Sequence, residues 1–125
     1  MNKRALKTSV AREAIRNAAV VKQITNRGGD LNRDQIIDCF FFAPTEDDAI
    51  SLARALQSIG VREISIRLSD ETSDVPWSVH GEISSSVTAF TAAEQSEKIL
   101  RLAAAHHCVY DGWGTLLDQG PGTHD

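Results

Sequence analysis

From Ala11 to Ile24 the apolar positions Ala11, Ala14, Ile15, Ala18, Val21 and Ile24 return roughly every 3.6 residues, the period of a helix with one buried face. Arg12, Arg16 and Lys22 fall off that stripe. The spacing predicts a helix over residues 9–27, ended by Gly28-Gly29, because glycine reaches the left-handed conformation in which helices stop. The pattern then changes. "IIDCFFFA" (36–43) is β-branched and aromatic, too short for a helix and apolar on both sides apart from Asp38. It reads as a central strand with both faces at least partly covered.

"PTEDDAISLARALQSIG" starts and stops as a helix. Thr45 caps it with Asp48 three residues on, the spacing of a capping box. Ala49, Leu52, Ala53, Leu56 and Ile59 form its core stripe, and Gly60 closes it. "VREISIRL" alternates, Ile64, Ile66 and Leu68 against Glu63, Ser65 and Arg67, as a half-buried strand does. After the acidic turn "SDETSDVP", "WSVHGEISSSV" alternates again, with His80, Glu82, Ser84 and Ser86 outward. Thr91 and Glu94 repeat the capping spacing before "AAEQSEKILRLAAAHH", which should bury Ile99, Leu102 and Ala103. "CVYDGWGTLL" is the last strand and "DQGPGTHD" a frayed tail.

The resulting order is α-β-α-β-β-α-β. Without its first helix it is the split βαβ pattern of ferredoxin-like α+β domains. Right-handed crossovers place the last strand beside the first, in a four-stranded antiparallel sheet with the two later helices on one face. The extra N-terminal helix is free to cover part of the opposite face. Three segments follow: a basic helix and linker (1–33), the ferredoxin-like domain (34–118) and a flexible tail (119–125).

Charge divides the chain at the same place. Up to Arg33, eight Lys and Arg residues face only Glu13 and Asp30, a net +6. From Asp34 onward fifteen acids face five bases, a net −10. An acidic body repels RNA phosphates and attracts basic peptides. Two cysteines in 125 residues make no disulfide framework. Arg12, Glu13, Arg16 and Asn17 interrupt the N-terminal stretch, so it reads neither as a signal peptide nor as a membrane span. A cytoplasmic protein is expected.

Little in the chain points to catalysis. His106 and His107 are adjacent, and adjacent helical residues diverge by about 100°, too far to clamp one metal ion. His80 and His124 lie far off in sequence. In a helix's last turn the histidine pair instead meets the negative end of the dipole. Cys108 has histidines next to it, but also Asp111 and no glycine-rich oxyanion loop; Cys39, mid-strand, has the place of a small buried hydrophobe. Glu46, Asp47 and Asp48 fall in a helix's first turn, where negative charge is stabilising. Asp70, Glu71 and Asp74 meet no such demand. No phosphate-binding or dinucleotide fingerprint appears. No cofactor, metal or enzymatic activity is expected. In "YDGWGT", Gly112 and Gly114 imply a bend or a close approach within a strand. Tyr110 and Trp113 supply apolar surface, and Asp111 is placed to accept N–H groups at the corner.

The same residues carry a resemblance. "YDGWGT" after an alanine-rich helix, with "FFFAPTEDDAISLARALQSIG" and "QITNRGGDLNRDQIIDCFFF" upstream, resembles the RraB family, regulators of ribonuclease E activity, from about Asn17 to Leu117. The resemblance implies a ferredoxin-like domain that is not an enzyme. It also implies binding to the basic, Arg-rich, disordered portion of ribonuclease E, which lowers RNA cleavage. A body of net −10 suits such a partner, since carboxylates pair with guanidinium in bidentate fashion. Candidate contacts are Asp70, Glu71 and Asp74 in the hairpin, and Asp38, Glu63 and Glu82 if their sheet face is open.

Two other classes share the topology. RNA-recognition domains place stacking aromatics on their two central strands; here Phe40 and Phe42 can do so only on an uncovered face. A small-ligand or immunity-type binding module is the third class, since fold alone does not fix function.

Overall fold

The computed structural model describes residues 3–115, with side chains from residue 9 onward; the expected tail (119–125) and the strand end at Leu116 and Leu117 lie outside the described residues. Helix α1 (Lys3–Asn26) leads into strand β1 (Gln35–Ala43), helix α2 (Glu46–Ser58) and strands β2 (Arg62–Leu68) and β3 (Trp77–Ser85). A short helix α3 (Val87–Phe90), helix α4 (Ala93–Ala105) and strand β4 (Val109–Thr115) complete the order.

The sheet runs β2-β3-β1-β4, every pair antiparallel. It is the ferredoxin-like arrangement, with the last strand beside the first. Pairing fixes which residues share a face, because side chains alternate along each strand. Ile37, Cys39, Phe41 and Ala43 on β1 stand with Ile83, Gly81, Val79 and Trp77 on β3, and with Thr115, Trp113 and Tyr110 on β4. This side meets α2 and α4. Ile37, Phe41, Leu52, Leu56 and Val79 are almost fully buried there, at about 1.5–3 kcal/mol for each large side chain.

Helix α2 ends as its sequence predicts. Thr45 accepts the Asp48 N–H at 3.1 Å, and Gly60 takes φ +97 just past the helix. Helix α4 does not begin as expected. Thr91 is spent on α3, its hydroxyl donating to the Val87 carbonyl at 2.8 Å, and Ala92 caps α4 with no side-chain bond. Ser86, expected as an outward strand residue, instead caps α3 by accepting the Ala89 N–H. A Ser-Ser-Ser run hides this switch, since the same residues serve strand ends and helix caps.

Helix α1 brings the largest correction. It lies beside α4 at the β4 edge, on the same side of the sheet as the other helices, and does not cover the opposite face. Its inward residues are Glu13, Asn17 and Ile24, with Val20 and Val21 partly buried, whereas Ala11, Ala14, Ile15 and Ala18 are exposed. Asn17 decides the orientation. Its Nδ2 donates to Ser96 Oγ at 3.1 Å, and its Oδ1 accepts from Trp113 Nε1 at 2.7 Å. A buried indole N–H demands such a partner.

Candidate partner-binding surface

With all helices on one side, the other side of the sheet is bare among the described residues. Three rows cross it. Arg62, Glu82, Asp38 and Gly114 form the first, and Ser65, His80 and Phe40 the second. Arg67, Ser78, Phe42 and Val109 form the third. Ile36, Phe40 and Val109 are 52%, 38% and 52% exposed, so the double-sided apolarity of "IIDCFFFA" marks an open surface and not a second buried one.

Phe40 and His80 face each other across the β1–β3 pair. Their rings stack with centroids 5.0 Å apart and planes at 22°. His80 Nε2 lies 2.8 Å from Asp38 Oδ1. Asp38 and Glu82 are direct cross-strand neighbours, an unfavourable like-charge placement in isolation, which His80 and the opposite Arg62 relieve.

Beside Phe40 the last strand bulges. Phe40 pairs with Gly112 and Phe41 with Tyr110, which leaves Asp111 as the extra residue. Gly112 carries the bulge at φ +134, where an added Cβ would meet the Arg16 guanidinium at 2.8 Å. The expected role of Asp111 changes accordingly. Its carbonyl accepts Arg16 Nη2 at 2.6 Å, while its side chain stays exposed and borders the same shallow depression as Phe40, His80, Ser65 and Arg67. Tyr110 and Trp113 belong to the core, against Phe41 and Phe90 respectively.

The six acidic residues singled out by sequence fall into two groups. Asp38 and Glu82 lie together on the open face, with Glu63 at the β2 irregularity bordering a hollow that also touches Glu82. Asp70, Glu71 and Asp74 occupy the β2–β3 hairpin tip. Asp70 folds that tip: its carboxylate accepts the Thr72 hydroxyl and N–H at 2.6 and 3.0 Å, and those bonds hold its pKa below the usual carboxylate value. Glu71 and Asp74 are left exposed.

Topology adds a third group. Ala43 pairs with Trp77 and Leu68 with Trp77, so the start of α2 and the hairpin tip share one end of the molecule. Glu46, Asp47 and Asp48 therefore join Asp70, Glu71 and Asp74 there. In sequence these trios are more than twenty residues apart, and only the strand register brings them together.

The histidine-cysteine stretch is a helix-to-strand handover. Helix α4 ends at Ala105, one residue before the histidines, so they cap the helix from outside its last turn. His107 takes φ 62, and the Cys108 N–H returns to the Ala103 carbonyl at 2.8 Å, the closing bond of a Schellman turn. His107 Nδ1 lies 3.3 Å from Asp48 Oδ1. Burial and the Asp48 charge push the Cys108 thiol up to about 11. Burial and the Asp38 charge push Cys39 up to about 12. Both thiols stay protonated at neutral pH, whereas a nucleophile must be a thiolate. Among the described residues no three His, Cys, Asp or Glu side chains gather as metal ligands, and no helix is long and apolar enough to cross a membrane.

A family model described as "Regulator of ribonuclease activity B" matches residues 14–115, from the docked half of α1 to the end of β4. The chain belongs to the RraB family. The family is named for regulating ribonuclease activity, not for a reaction of its own. The matched span includes the open face, the acidic end and the Asn17 anchor. No curated protein sequence matches the chain.

Proposed function

We propose that this RraB-family protein binds ribonuclease E, or a similar nuclease with a basic segment, in the cytoplasm and lowers its cleavage of RNA. Residues 34–118 form the binding domain, and the basic N-terminal segment braces it from the β4 edge. The observation that carries this reading is the placement of two acidic groups on one sheet, Asp38 and Glu82 on the open face and Asp70, Glu71 and Asp74 at the hairpin tip. Glu82 lies five residue steps from Trp77 along the strand, about 17 Å, and the tip carrying Asp70, Glu71 and Asp74 follows directly. An extended basic segment of about six residues spans that distance. Asp38, Glu63 and Glu82 then serve one end of the segment and the hairpin carboxylates the other.

Binding measured between the full chain and purified ribonuclease E tests the proposal. Affinity falls as salt rises, because exposed pairs are screened. Glu71→Lys with Asp74→Lys weakens binding at least about fivefold, at up to ~1 kcal/mol for each exposed pair. Binding that ignores both salt and this charge reversal refutes an electrostatic contact.

A further inference from the structure

The two edges of the sheet are finished differently. At β4 the edge is closed by α1, with Arg16 Nη2 donating to the Asp111 carbonyl at 2.6 Å. At the other end β2 pairs with β3 on one side and with no strand on the other. An open edge of this kind is a template for a further strand. The register assigns its side chains. Ile66 and Leu68 stand opposite Val79 and Trp77 on the helix side, and Ile64 lies there too, against Gly81. Ser65 and Arg67, opposite His80 and Ser78, are on the open face. Glu63, at φ 52, is the extra residue of the β2 irregularity, and it borders a hollow with Arg62 and Glu82 on that same face. Neither Glu63 nor Arg67 enters an ion pair among the described residues.

We propose that the β2 edge pairs with the same edge of a second copy, antiparallel about a two-fold axis through Ser65. From Glu63 to Arg67 the strand reads Glu-Ile-Ser-Ile-Arg, which is complementary to its own reverse. With Ser65 opposite Ser65, Ile64 meets Ile66 on the helix side and Glu63 meets Arg67 on the open face, each twice by symmetry. Opposite charges facing across two strands stabilise the pair, and like charges destabilise it. Other registers lose this match. A slip of one residue sets helix-side against open-face side chains. A slip of two centres the pair on Ile66 and leaves Glu63 and Arg67 opposite serines, or carries it the other way into the irregularity. A slip of four centres it on Arg67, with two guanidinium groups opposed. Each chain has one open edge, so the assembly closes at two copies. The inference does not depend on the regulator reading. A carboxylate has room for two guanidinium partners, so Glu63 serves this seam without leaving the contact proposed above.

Sedimentation equilibrium of the full chain tests the proposal, and the mass rises with concentration toward that of two chains. Arg67→Glu opposes like charges at both ends of the seam and weakens the dimer roughly tenfold. Glu63→Arg does the same. The double variant restores the dimer, a rescue that a folding defect would not give. Ser65→Cys reads the register: opposed residues stand about 4.5–5.5 Å apart, within disulfide reach, so oxidation with diamide gives a covalent dimer. Gln23→Cys, exposed on α1, does not cross-link, and the native Cys39 and Cys108 are buried. The mass of one chain, held up to roughly millimolar concentration, overturns the proposal. So does a dimer that ignores both charge reversals, or one that the double variant fails to restore. Equal cross-linking of Ser65→Cys and Gln23→Cys overturns it as well, as does faster cross-linking of Ile66→Cys, and this arm decides the matter even where a charge variant fails to fold. None of these outcomes bears on nuclease binding, which is measured separately.

Discussion

Asn17 joins three elements through one amide group, donating to Ser96 on α4 and accepting from Trp113 on β4. Nothing in the hydropathy of α1 shows this. A stripe of alanines and Ile15 outweighs a single asparagine in any apolar count, yet that stripe is exposed, with Ile15 at 73%. The buried indole and serine supply the polar partners that turn the helix through to its Glu13–Asn17–Ile24 side. Glu13, also buried, shows the cost of that choice: desolvation raises its pKa against the opposing pull of Arg16. Asn17→Ala leaves the Trp113 N–H and the Ser96 hydroxyl without their partner. It is expected to lower unfolding stability by about 2–3 kcal/mol, the scale of a buried unsatisfied donor and its neighbour. Urea denaturation followed by tryptophan fluorescence measures it, and a loss under about 0.5 kcal/mol would show that α1 is held by apolar contact alone.

Elements with regular periodicity were legible in the sequence, and those defined by a local switch were not. Helix α2 has its cap, stripe and closing glycine in register with one another, so Thr45 and Gly60 mark its ends. The Ser84–Ser86 run and Thr91 offer no such agreement, and α3 took the cap assigned to α4. In β4, two glycines within a strand pattern did signal an irregularity, although the identity of the extra residue, Asp111, needed the pairing register. Gly112→Ala tests the bulge directly. It places a side chain at φ +134 against the Arg16 guanidinium, and a loss of about 1–3 kcal/mol is expected for an L-residue forced into that conformation. A Gly112→Ala protein of unchanged stability would mean that the bulge relaxes at no cost.

At the scale of the whole molecule, the charge division along the chain was visible in the sequence, but its arrangement in space was not. The sheet register gathers Glu46, Asp47 and Asp48 with Asp70, Glu71 and Asp74 at one end. It also sets Asp38 and Glu82 side by side. The apolar residues of β1 divide between core and surface because α1 packs at the β4 edge and leaves Ile36 and Phe40 uncovered. Among the described residues this face presents the Phe40–His80 stack and the paired Asp38 and Glu82 carboxylates, the groups that the proposed contact with another protein would use. Cleavage of one RNA by purified ribonuclease E, and by the same nuclease lacking its basic segment, with and without the full chain, decides the matter most directly. The account predicts slower cleavage by the intact nuclease and no effect on the shortened one; equal slowing of both, or of neither, would contradict it.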